Sequence, residues 1–158
     1  MSVRVSITGG ERMKEALKKI VDTKLAVKAG IPAGATTTDG KSIPEYAMYN
    51  EVGTAHIPAR PFMRDTVNDK QDNWKAFLEN NVDYNNIQRD KCETVMGVLG
   101  EVMVADIKQT IQKGGNPPFE PNAESTRKAK ERKGKSEAGH PLIDTGQMLE
   151  SIISEVVK

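Results

Sequence analysis

Cysteine is almost missing from this chain. Cys92 stands alone, so no disulfide can form within it, and one thiol says little about compartment. Histidine is scarce too: His56 and His140 are the only two. With Cys92 they are the only soft metal-ligand candidates, and none stands at metal-ligand spacing from another, so no zinc site is expected. Aromatic residues make up 4% of the chain, with one Trp. That is too few for a platform on which bases stack. Neither sign of charge dominates, with 23 basic and 22 acidic side chains and a net charge of +1. A globally basic nucleic-acid coat and a globally acidic tail protein are both excluded, so any nucleic-acid contact must come from a local patch. No stretch approaches the roughly 18 apolar residues that cross a bilayer, so no membrane partner is expected. The opening MSVRVSITGGERMKEAL lacks the apolar run and small-residue cleavage site of a signal peptide. The expected setting is a cytoplasm.

What is present suits one domain over residues 1–158. A hydrophobic fraction of 37% is low for an enzyme that walls off a dry pocket. It fits a small domain with loops, or one that completes its packing in an assembly. Val3, Val5 and Ile7 alternate with polar residues and predict a strand, ended by Gly9-Gly10. Met13, Ala16, Leu17, Ile20 and Val21 follow with helical spacing. Leu25, Val27, Ala29 and Ile31 alternate again, and Pro32 stops that strand. Residues 33–42 read as a mobile loop or hairpin tip. Pro44 can open a short helix from Glu45 to Val52, with Gly53 at its end. Residues 54–61 carry two prolines and must be extended. A helix restarts at Pro61 and runs to about Asn80, with Phe62, Thr66, Trp74, Phe77 and Leu78 on its apolar side.

The clearest element is a long helix from Ile87 to about Gln112. Cys92, Val95, Met96, Leu99, Val102, Met103, Ile107 and Ile111 form one broad stripe along it. Gly97 and Gly100 inside it each cost about 1 kcal/mol relative to Ala, which predicts close approach by another backbone. Residues 114–140 show no apolar period and read as a second long loop. Asp144 or Thr145 can cap a short helix, and Ile152, Ser154 and Val156 predict a closing strand. The expected fold is α+β: a small, mostly antiparallel sheet packed on a long central helix, with flexible loops at 33–42 and 114–140.

Catalytic motifs are thin. Leu142-Ile143-Asp144-Thr145-Gly146 carries the local signature of a retroviral-type aspartic protease, in which two such loops share a proton. Too little chain follows Gly146 for the strands and flap of that fold, so a helix cap is the better reading. Gly9-Gly10 lacks the downstream Gly-Lys-Ser/Thr of a phosphate loop, and no Ser sits in a G-x-S-x-G elbow. The chain is therefore expected not to be an enzyme and to need no cofactor. Two stretches remain. Arg127, Lys128, Lys130, Arg132, Lys133 and Lys135 stand against Glu131, and such a run can lie along phosphates or simply face solvent. Ile57-Pro58-Ala59-Arg60-Pro61-Phe62 is pre-set as an extended segment suited to a partner groove or sheet edge. Alternatively it tucks Phe62 into the core while Arg60 pairs with an acid such as Glu51.

Together these pieces resemble a known family. Asn50-Glu51-Val52-Gly53-Thr54 and then Ile57-Pro58-Ala59-Arg60-Pro61-Phe62-Met63-Arg64 resemble the N-E-[FY]-G-T…I-P-A-R-P-F-[LM]-R box of tailed-phage tail-completion, or neck, proteins. Val52 departs from the usual aromatic. Pro121, Ser125-Thr126, Lys128, the basic stretch to Lys135, Pro141-Leu142-Ile143-Asp144-Thr145-Gly146, Met148 and Ser151-Ile152 are similar to the same family's P-x-S-T-x-x-x-K…R-K-G…P-L-I-D-T-G-x-[LM]-x-x-S-I ending. The resemblance covers residues 45–152. It implies a non-enzymatic structural subunit of the virion neck, assembled in the host cytoplasm into a homo-oligomeric ring. It implies as partners the head–tail connector and the tail-tube or terminator proteins, with nonspecific DNA contact in the lumen as a further option. On this reading Glu51, Arg60, Pro61, Phe62 and Arg64, and Arg127, Lys128, Lys130, Arg132 and Lys133, are interface candidates. Asp144, Thr145 and Gly146 become a structural cap. The alternatives are a sequence-blind nucleic-acid-binding module that uses residues 127–135, or a head-morphogenesis or minor tail component.

Overall fold

The computed structural model describes residues 25–83, 85–135 and 138–157, together with Glu15 and Lys18, both helical. The strand expected at 3–7, the Gly9-Gly10 turn and the rest of the helix expected over 13–21 lie outside the described residues. Ala26–Gly30 forms β1 and Ile153–Val157 forms β2. The two pair antiparallel, Val27 opposite Val156 and Ala29 opposite Ser154. Period-two alternation turns those four toward the interior, while Lys28 and Glu155 face each other on the exposed side.

The helices begin and end where local chemistry dictates. Ile43–Val52 forms α1. The Ser42 hydroxyl accepts from Glu45 N at 3.4 Å, and Pro44 sits in the first turn, where a missing N–H costs nothing. Gly53 ends α1 at φ 76° and donates to Tyr49 O. A Cβ there would also stand 2.9 Å from Ala59 N, so both conformation and space require glycine. Phe62–Asn81 forms α2 and Arg89–Lys113 forms α3. Gly114 closes α3 in the left-handed conformation, donating to Ile111 O while Gly115 donates to Thr110 O.

The sheet lies across α3, and Gly100 is what permits it. A Cβ on Gly100 would meet Ser154 Cβ and Oγ at 2.8 Å and Val27 Cγ2 at 3.0 Å. The close approach expected at Gly100 is thus made by strand side chains rather than by a backbone. Gly97, by contrast, meets nothing within 4 Å among the described residues, so no close approach is seen there. On its other flank α3 meets α2 along a polar seam. Fully buried Thr66 donates to Phe62 O at 2.6 Å and lies 2.7 Å from Thr110 Oγ1, and Trp74 Nε1 donates to Asp106 Oδ2 at 2.7 Å. The core between these layers holds Ile43, Ala47, Phe62, Val104, Ile107, Ile111, Phe119, Met148 and Ile152. The fold is α+β, a small antiparallel sheet on a long central helix.

The segment 114–140 departs from the loop expected of it. Glu124–Arg132 is a helix, α4. It carries no apolar stripe because the side chain it buries is Lys130, only 8% exposed. A helix anchored through an ammonium group leaves no hydrophobic period to read. Gln147–Glu150 forms the short α5 before β2. Among the described residues no helix is long and apolar enough to cross a membrane.

Candidate assembly surface and its supporting network

The first of the two sequence boxes folds around Arg60. Its backbone N–H donates to Asn50 O at 2.6 Å. Its guanidinium donates to Glu120 O at 2.9 Å, to Asn50 Oδ1 at 3.2 Å and to Pro121 O at 3.3 Å. The residue is 5% exposed, and burial pushes the guanidinium below its ordinary pKa while Glu120 pulls it back up. Arg60 therefore joins the end of α1 to the start of the second box. The pairing of Arg60 with Glu51 expected from sequence is not formed. Glu51 instead accepts from Met63 N at 2.9 Å and from Arg64 N and Nε, each at 3.1 Å. Arg64 Nη2 closes the ring on Glu51 O at 2.7 Å. Pro61, at the α2 N-cap, has no side chain able to bond the open amides. A carboxylate from the preceding helix bonds them instead and meets the positive end of the α2 dipole.

The second box is tied down by side chains reaching carbonyls. Lys130 Nζ donates to His140 O at 3.1 Å and to Ile143 O. Asn122 Nδ2 donates to His140 O at 2.9 Å and to Ala138 O at 3.3 Å. Lys135 Nζ donates to Asp144 O at 2.9 Å. The His140 ring fills the space between Gln112 O and Pro141 O, at 2.8 and 2.6 Å. Between the two carbonyls that Lys130 gathers, Leu142 sits at φ 66°, a conformation that costs a bulky residue on the order of 1–2 kcal/mol. The cap expected from Asp144 or Thr145 is absent. Gly146 itself occupies the α5 N-cap at φ 80°, with no side chain to offer, and both preceding residues are exposed.

The interface candidates divide by exposure. Arg64, Arg127, Lys128, Arg132 and Lys133 are exposed, and Lys128 pairs with Glu124 at 2.7 Å. Glu51 and Pro61 are half-buried. Arg60, Phe62 and Lys130 are buried, Phe62 to 1%, so these three build the domain and offer no accessible surface. What residue-by-residue reading missed is the outer face of α1. Ile43 and Ala47 face the core, while Met48, Tyr49 and Val52 on the other side are 55%, 38% and 59% exposed. Glu45 shares that side and accepts from the Tyr49 hydroxyl at 2.7 Å, which pushes the phenol's pKa up. The signal was in the sequence: α1 carries apolar side chains on both sides, Ile43 and Ala47 on one and Met48, Tyr49 and Val52 on the other. Among the described residues the other exposed large apolar side chains, Val67, Val98 and Ile153, sit singly on α2, α3 and β2, and single exposed apolar residues are ordinary. Compared with family models, with curated proteins and with solved structures, the chain finds no match.

Proposed function

We propose that this chain is a non-enzymatic structural subunit of a tailed-phage or prophage neck, assembling as a ring between the connector and the tail tube or terminator. The observation that carries the reading is the outer face of α1. Met48, Tyr49 and Val52 fall at helical spacing on that face, leading into the first box, and are 55%, 38% and 59% exposed. Such a face gains its burial from a partner subunit. The two boxes supply the support. Arg60, Asn122 and Lys130 bind them into one framework, which presents α1 in a fixed orientation. The resemblance of the boxes to tail-completion proteins names the assembly, and virion location follows from it.

A second reading draws on α4. Arg127, Lys128, Arg132 and Lys133 are exposed on a helix held in place by Lys130, a geometry able to follow a phosphate backbone inside the lumen. Electron microscopy of lysates from a phage or prophage lacking the gene tests the first reading. Filled heads beside separate tails are expected, with joined virions restored by complementation. Normal infectious particles without the gene would refute it. A filter-binding salt titration tests the second, and a slope near zero removes it.

A further inference from the structure

The hairpin at 33–42 has no part in the neck reading, yet it borders an open groove with an unpaired backbone edge among the described residues. Thr36 and Ser42 face each other as an antiparallel bridge. The flanking bonds run from Ile43 N to Ala35 O at 3.0 Å and from Thr37 N to Lys41 O at 2.9 Å. Thr36 and Ser42 are thus a non-hydrogen-bonded pair, and the Thr36 N–H and C=O face away from the hairpin along its outer edge. Among the described residues neither group has a partner. Beside this edge lies an open groove of about 350 Å³. Thr36, Thr38 and Ile43 line it together with Gln147, Glu150 and Ser151. Gln147 Nε2 donates to Thr38 Oγ1 at 3.1 Å, which joins the two segments. The Glu150 carboxylate is exposed and has no hydrogen-bond or ion-pair partner among the described residues.

We infer that this groove takes an extended segment of another polypeptide by strand addition. One residue of the segment exchanges both backbone hydrogen bonds with Thr36, and a neighbouring Lys or Arg answers Glu150. The chemistry of the walls selects this class. The described residues that line the groove offer no aromatic ring to stack a sugar or a base and no cation for a phosphate, and nearby Lys41 is held on Asp39 at 3.0 Å. Hydroxyls, an amide and a free strand edge match the donors and acceptors of a peptide backbone. The inference does not depend on the neck reading.

The test is an amide-resolved NMR titration of the full chain with the blocked peptide Thr-Val-Lys-Val-Thr and its Thr-Val-Glu-Val-Thr counterpart. Saturable shifts at the Thr36 and Thr38 amides are expected. The Glu peptide should bind about fivefold more weakly, the scale of one exposed ion pair. Glu150→Gln should bring the two peptides within about twofold of each other by removing that pair. N-methylation of the peptide at both Val residues, the neighbours of Lys whose N–H groups face Thr36, should abolish the shifts without any change to the protein. Absence of saturable shifts at Thr36, shifts confined to β1 and β2, or a Lys preference that survives Glu150→Gln would each overturn the inference.

Discussion

Arg60 and Arg64 stand four residues apart on the same short stretch, yet their environments make them opposites. Arg60 is buried and donates to three acceptors, two of them carbonyls on a segment 60 residues away. Removing it leaves those acceptors without partners, so Arg60→Ala should cost about 2–3 kcal/mol. Arg64 is an exposed partner of Glu51, and Arg64→Ala should cost less than about 1 kcal/mol. Urea midpoints of the two variants, compared with the parent at equal slope, check this, and equal losses would show that Arg60 is not a joint. A second residue-scale expectation concerns Asp39 at the hairpin tip. The Thr37 hydroxyl, 2.6 Å away, and then Lys41 hold its carboxyl at about 2, below its ordinary value of 3.8. Because the folded value is the lower one, these contacts favour the hairpin above pH 3.8, and the support is lost as pH falls through about 2. A carboxyl-detected NMR titration should give Asp39 a midpoint near 2. A midpoint at the ordinary value would mean that the tip contacts do not persist in solution.

At the scale of elements, α3 offers a paired experiment on one helix. Gly97→Ala places a methyl that meets no atom within 4 Å among the described residues and removes the backbone penalty of glycine, so it should stabilise by up to about 1 kcal/mol. Gly100→Ala gains the same propensity but forces a methyl into Ser154 and Val27. Overpacking of that kind costs about 1–3 kcal/mol, so the net change should be destabilising. Thermal melts of both variants decide the matter, and stabilisation by Gly100→Ala would mean that the sheet does not press on α3 at Gly100. The two glycines look alike in sequence, three residues apart in one helix. Only the position of the sheet separates them. The same holds for α4, whose anchoring residue is charged. A pattern search weights Lys130 as surface, whereas the structure aims it at the carbonyls of His140 and Ile143.

For the whole molecule, the claim at stake is that the outer face of α1 is an interface. Met48→Glu with Val52→Glu alters two side chains that are more than half exposed, so the melting temperature of the isolated chain should change by only a few degrees. Assembly should fail, read as loss of higher oligomers by light scattering and loss of complementation in the deletion lysate. Assembly equal to the parent would move the interface away from α1 and leave the exposed cations of α4 as the next surface to test.

Much of the framework is legible in the order of the residues. Pro44 and Gly53 mark the limits of α1 through groups within a few residues of each other, while the Ser42 cap emerges only in the fold. An unbroken apolar stripe bounded by Gly114 marks α3, and two alternating runs mark β1 and β2. These features depend on backbone conformation and on periods of 3.6 and 2, both of which are local. The apolar outer face of α1 is equally present in the sequence, though which side is left uncovered is not. What tertiary structure alone decided is the polar wiring and the empty space. Arg60 passes over Glu51 for carbonyls far along the chain, Glu51 caps α2, Lys130 turns inward to make a helix of an apparent loop, and Gly146 takes the cap position from Asp144. The groove beside Thr36 exists only because residues 36–38 and 147–151 meet, with Gln147 reaching Thr38 across the gap. Such bonds join a side chain to whichever carbonyl or hydroxyl folding brings near it, and no spacing rule along the chain encodes that choice.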